Sequence, residues 1–167
     1  AKAATDNAAK AAADNAANAA ATARASKGSV HEAIGKTRAA TGVEKVVFLA
    51  MHKTDLKSFD EYRRIYPDHR IEALPAVGRF REIRRAIADA EVLLTMKHHP
   101  IIFAAGESTP VVSLAYSPYY VHKNGGALGQ YGIGACSTYL AAADWPAQFD
   151  AALKKALDRD WFAAETR

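Results

Sequence analysis

Residues 92–116 pack a strand, a turn, a helix and a second strand into one short span, and that pattern constrains the fold more than any other stretch. The apolar run Val92-Leu93-Leu94 enters a basic turn, Lys97-His98-His99, after which Pro100 opens an apolar segment, Ile101-Ile102-Phe103-Ala104-Ala105. A second apolar run follows at Val111–Ala115. Proline suits the first position of a helix, where its missing N–H is not needed. Continuous apolar strands joined through a helix belong in a parallel sheet buried on both faces. The basic turn then falls at the carboxyl end of a strand, beside the free N–H groups of a helix's first turn. Such a helix start favours anions. With Lys97 and His99 added, it predicts a pocket for a phosphate or carboxylate with a titratable base in it.

The rest of the chain repeats the alternation. Ser29-Val30-His31-Glu32 has the capping-box pattern, with Ser29 as N-cap, and the helix it opens is expected to end at Thr41-Gly42, with Gly42 as C-cap. Lys45–Met51 reads as a buried strand. Asp55–Tyr66 reads as a helix with Leu56, Phe59 and Tyr62 on one face, stopped by Pro67. Arg70–Leu74 is a short strand, and Arg79–Ala90 a helix whose core face is Phe80, Ile83 and Ile87. After Val111–Ala115 comes a long loop, Tyr116–Lys123. A helix near Asn124–Tyr131, a strand at Ala135–Tyr139 and a last helix over Asp144–Leu157 follow, the last lined by Trp145, Phe149, Leu153 and Leu157. Strands alternating with helices predict an α/β fold, a doubly wound, mainly parallel sheet of the Rossmann-like kind.

Residues 1–28 differ from this domain, which spans 29–167. Fourteen of the first 24 residues are Ala, in a decaying eight-residue repeat (AATDNAAK, AAADNAAN, AAATARAS). Alanine favours helix, but the period drifts by about 80° per repeat at 3.6 residues per turn, so no apolar seam forms. A helical extension or linker is expected, with a surface-binding helix as the weaker alternative. The chain of 167 residues carries a net charge of +4, which suits small anionic substrates and is too diffuse to argue for nucleic acid. One cysteine, Cys136, excludes an internal disulfide framework and fits a reducing compartment. No apolar run approaches the roughly 18–20 residues of a membrane span, and no secretory signal is visible. A cytoplasmic location is the expectation; the oligomeric state stays open.

His99 leads the candidate functional residues. Ligands of open parallel sheets sit beyond the carboxyl ends of strands, and an imidazole with an ordinary pKa of about 6.5 suits proton transfer. The bland reading is a helix cap or a satisfied surface histidine. Lys97 is an anion-binding charge or a solvated lysine, and His98 most simply a packing residue. His52 follows the Lys45–Met51 strand, a position from which it could face the same crevice as His99, while Asp55 reads first as the N-cap of the next helix. Tyr116 and Lys123 belong to a loop whose aromatic rings suit stacking on sugars, or pack beneath it. Glu107 lies in a helix-ending turn. Arg79, Arg81, Arg84 and Arg85 form a solvated helix face. No pair among these has the spacing of a zinc motif, and no GxGxxG follows a strand, so neither a metal nor a dinucleotide cofactor is expected.

The central stretch resembles the signature of the polysaccharide pyruvyl transferase family, in which a strand ends in Met-Arg-Leu-His and continues into a helix rich in Ile, Phe and Ala, then a Pro-Val-Val strand and a Tyr. Met96, His99, Ile102, Phe103, Ala104, Pro110, Val111, Val112 and Tyr116 fall on that pattern. Lys97 replaces the family's Arg and His98 its Leu. His122-Lys123-Asn124-Gly125 and Gln130-Tyr131-Gly132-Ile133 resemble a Lys-containing loop and a later turn of the same family. The likeness runs over roughly residues 43 to 160 and covers the C-terminal lobe of a two-lobed, glycosyltransferase-B-like enzyme. It implies transfer of the pyruvyl unit of phosphoenolpyruvate onto two sugar hydroxyls as a ketal, in the biosynthesis of exopolysaccharide for the cell envelope. His99 would then be catalytic, and Lys97, Tyr116, Lys123 and His52 would bind substrate. Phosphoenolpyruvate would be the donor and no cofactor is implied. The partners would be a small anionic donor, a saccharide acceptor and a missing N-terminal lobe, without which the chain is expected to be inactive. Two other readings stand beside this one: a sugar-nucleotide-binding lobe of a glycosyltransferase, and a non-catalytic domain or fragment.

Overall fold

The computed structural model describes residues 28–52, 55–67, 70–75 and 78–167; the Ala-rich segment 1–26 lies outside the described residues. Helix α1 covers 28–41. It is followed by β1 (Lys45–Ala50), α2 (Asp55–Ile65), β2 (Arg70–Pro75), α3 (Phe80–Ala88), β3 (Leu93–Thr95) and α4 (His98–Gly106). Then come β4 (Val111–Ala115), α5 (Pro118–Gln130), a 3-10 turn (Gly134–Cys136), β5 (Ser137–Tyr139), α6 (Trp145–Leu157) and α7 (Arg159–Glu165). The chain is α/β, with short parallel sheets. β1 pairs with β2, and β4 lies between β3 and β5.

The core sits around β4. All five of its residues are buried; because side chains alternate across a strand, layers must cover both of its faces. Ile101, Ala104 and Ala105 of α4, Leu128 of α5, and Phe149, Ala152, Leu153 and Ala156 of α6 supply the cover. β1 was expected to be buried in the same way and is not. Its exposure alternates, with Lys45 and Val47 open and only Ala50 buried. An apolar run such as Val46–Leu49 does not state how many layers cover it. Here β1 has one strand partner and α2, whose Phe59 ring packs 6.0 Å from that of Phe48.

Helix α1 straps the two sheets together. His31 stands edge-on to Tyr62 of α2 and to Tyr66 just after it, at 5.1 and 5.5 Å, and Lys36 pairs with Asp150 of α6 at 2.8 Å. Its end follows expectation: Gly42 has φ 70°, and its N–H donates to the Arg38 carbonyl at 2.8 Å, as a left-handed C-terminal residue does. Its start does not. Ser29 lies inside the helix and is buried, so it is not the N-cap.

Other boundaries move for identifiable reasons. α4 begins at His98, which puts Pro100 third in the helix, still within the first turn where a missing N–H costs no intrahelical bond. The segment after β4 is not a long loop: α5 starts at Pro118, behind Ser117 in an extended conformation, so the Ser-Pro pair marks a helix start. Leu56 and Phe80, expected in the core, are 37% and 55% exposed, and Phe80 touches only the edge of the apolar set through Phe103, at 5.2 Å. Helix α7 was not expected. Asp158 caps it by accepting the Trp161 N–H at 3.2 Å, a signal present in the sequence but hidden behind the longer helix before it.

Candidate functional site

In a parallel arrangement each helix after a strand begins at the strand's carboxyl end, so α2, α4 and α5 bring their first turns to one edge of the molecule. The five site residues singled out from the sequence, His52, Lys97, His99, Tyr116 and Lys123, belong to this edge. His52 follows β1, Lys97 follows β3 as the residue before α4, His99 is second in α4, Tyr116 follows β4, and Lys123 lies on α5.

Two chains of contacts connect them. In the first, the Lys97 ammonium donates to Asp55 Oδ2 at 2.6 Å, and the His52 backbone N–H donates to the same oxygen at 2.9 Å. Asp55 was expected to cap α2. It is instead the first residue of α2, and its carboxylate reaches back to the preceding turn and across to Lys97. In the second chain, the His98 and His99 rings lie 3.9 Å apart. Lys123 donates to the Tyr119 hydroxyl at 3.2 Å and sits 5.4 Å from that ring's centroid. Tyr119 meets Tyr120 at 5.1 Å, and Tyr120 meets Tyr116 at 4.5 Å. The consecutive residues Lys97, His98 and His99 join the two chains.

Electrostatics follow from these positions. Partial burial, then the neighbouring His99 and Lys123, push the His98 pKa below the ordinary imidazole value, so the ring favours its neutral form. Burial, a hydrogen bond with Tyr120 and that residue's charge push the Tyr116 phenol up to about 12. Both shifts favour the uncharged forms, beside the side chains of Lys97, Lys123 and Asp55. His99 is exposed, its ring 3.9 Å from that of His98.

Buried polar residues that sequence reasoning missed hold the turn in place. Thr95 is 7% exposed; its hydroxyl accepts the Lys97 N–H and donates to the Lys97 carbonyl, both at 3.1 Å. Asn124 is fully buried; its Nδ2 donates to the Met96 carbonyl at 3.3 Å and to Ser113 Oγ at 2.9 Å. Thr95, Ser113 and Ser137 are register partners across β3, β4 and β5, so they form one polar row on one face. The available signal was a hydroxyl within each short strand, at the end of β3, the middle of β4 and the start of β5, with an Asn on α5.

The remaining candidates lie apart. Glu107 pairs with Arg84 in the turn after α4. Arg79 pairs with Glu82 and Arg85 with Asp89 on the exposed face of α3, which agrees with a solvated arginine face. Among the described residues no group of three His, Cys, Asp or Glu is placed to hold a metal ion, and no helix is long and apolar enough to cross a membrane. Two shallow grooves of the described surface lie elsewhere, between α1 and α6 at Lys36, Asp150 and Leu153, and along α3 at Phe80, Arg81 and Arg84. Compared with protein-family models, with curated proteins and with solved structures, the chain matches none.

Proposed function

We propose that the chain is the donor-binding lobe of an enzyme similar to the polysaccharide pyruvyl transferases, built on a doubly wound sheet and working in the cytoplasm on a phosphoenolpyruvate donor and a saccharide acceptor. The observation that carries this reading is the convergence of Lys97, His98, His99 and Lys123 beyond the carboxyl end of β3, next to Tyr116 at the end of β4. Two lysines and a helix start suit a donor that carries a phosphate and a carboxylate. In the reaction, one sugar hydroxyl adds to C2 of the enol while C3 takes a proton. A second hydroxyl then replaces phosphate at C2, closing the ketal. His99 supplies the proton to C3 or a hydrogen bond to the departing phosphate; Lys97 offsets the phosphate's charge.

Exposed apolar side chains at three helix starts support a second lobe as the partner. Leu56, Phe80 and Tyr119 sit in the first turns of α2, α3 and α5 and are 37%, 55% and 62% exposed. Large apolar side chains left exposed in this way suit surfaces that another body covers.

Ligand-dependent melting tests the proposal. Phosphoenolpyruvate and inorganic phosphate are expected to raise the melting temperature of the 167-residue chain in a saturable way, because binding to the native state adds about 2.7 kcal/mol at 100 times Kd. The chain alone is expected to release no phosphate from phosphoenolpyruvate and a sugar. In a complete enzyme His99→Ala is expected to cost about 10²–10⁴ in rate while leaving donor binding intact. Stabilisation by a nucleoside diphosphate sugar but not by phosphoenolpyruvate would replace this reading with a glycosyltransferase lobe.

A further inference from the structure

Two donors from distant parts of the chain meet at one oxygen atom. Lys97 Nζ and the His52 N–H both donate to Asp55 Oδ2, at 2.6 and 2.9 Å. Lys97 and Asp55 are 42 residues apart and belong to the turns after β3 and β1. An ammonium and a backbone N–H aimed at one anionic oxygen make an oxyanion site, and here the protein's own carboxylate fills it.

We propose that Asp55 is the internal occupant and gate of the anion site: its carboxylate competes with the phosphate of an incoming donor for Lys97 and the His52 N–H. The proposal rests on the anion-binding reading above and adds a selectivity element to it. The pair is partly exposed, Lys97 at 43% and Asp55 at 22%. Exposed ion pairs hold weakly, so a ligand displaces this one at little cost, whereas a fully buried pair would resist. A phosphate dianion outcompetes a monoanionic carboxylate at an ammonium; a neutral sugar does not. The gate therefore selects phosphate monoesters of high charge density. The displaced carboxylate also has a destination. Asp55 is the acidic residue of α2's first turn, and that helix start attracts negative charge.

Calorimetric titration with inorganic phosphate, and separately with phosphoenolpyruvate, tests the gate on the full chain, on Asp55→Asn, on Lys97→Gln and on the double variant. Asparagine keeps an oxygen for the His52 N–H and removes the competing charge; Asp55→Ser, whose hydroxyl also accepts, replaces it if circular dichroism shows that Asp55→Asn is not folded. Asp55→Asn is expected to bind phosphate about 1.5- to fivefold more tightly than the unmodified chain. That advantage is expected to vanish when Lys97→Gln is present. Binding to Asp55→Asn with none detectable in the unmodified chain also supports the gate. If the unmodified chain binds phosphate and Asp55→Asn binds it equally or less well, Asp55 is only a latch and the gate is wrong, while the anion site stands. If neither binds phosphate or phosphoenolpyruvate, the anion-site reading fails and the gate falls with it.

Discussion

His98 and Asn124 show how single residues shape the 96–99 turn without being conspicuous in the sequence. In the sequence His98 reads as a packing residue. The structure makes it a half-buried imidazole between His99 and Lys123, with its pKa held below the ordinary value. Between that lowered pKa and the unfolded value of about 6.5, the unfolded chain binds the extra proton, so stability rises with pH and is lost as pH falls through the window. His98→Phe is expected to flatten the acid side of the stability–pH profile. In NMR titration of the unmodified chain, the His98 ring is expected to show a midpoint below that of a model imidazole; an ordinary midpoint would contradict this placement. Asn124 is a different case. Its amide reaches both Met96 and Ser113 from a fully buried position. Asn124→Ala removes a donor from two buried acceptors and is expected to cost about 1–3 kcal/mol. Chemical denaturation measures this, and a cost under half of that would place the support of the turn elsewhere.

At the scale of elements, periodicity located what it can locate. Val111–Ala115 is legible to the residue, and Ile83 and Ile87 fall on the core face of α3 as their spacing implies. Phe80 shares that spacing but not that burial: it is the first residue of α3 and is 55% exposed. Helical spacing reports a direction around an axis; it is silent on whether a neighbour extends far enough along it. Ile83→Ala is expected to cost about 2–5 kcal/mol and Phe80→Ala less than a third as much. Paired melting measurements decide this, and equal losses would restore Phe80 to the core. The candidate site was legible in a similar, partial way. The basic turn, the strand end and Tyr116 stand out in sequence because each follows an apolar strand. The Asp55–Lys97 contact and the Thr95–Ser113–Ser137 row do not, because the first depends on how segments of two separate sheets meet and the second on register between strands.

Over the whole molecule, stability is unevenly distributed. The buried apolar residues cluster around β3, β4 and β5, largely on the helices that cover them, whereas β1 and β2 are open on alternate positions. Local opening follows burial. Backbone amides of β4 are expected to exchange with solvent deuterium most slowly, near the rate set by global unfolding, and those of β1 and β2 at least tenfold faster. Equal protection of the two sheets would show that α1, bridging Tyr62 and Asp150, couples them into one unit.

The positions of the two tryptophans carry a practical consequence. Trp145 begins α6, and Trp161 lies in α7 with the Lys155 ammonium 4.1 Å from its ring. Both pack against the core around β4, and none lies in β1, β2 or α2. Indole emission is therefore a reporter confined to one half of the molecule. A fluorescence melt would record the β3–β5 half while remaining blind to fraying of the other. Tyrosine absorbance, dominated on that side by Tyr62 and Tyr66 against His31, supplies the complementary signal.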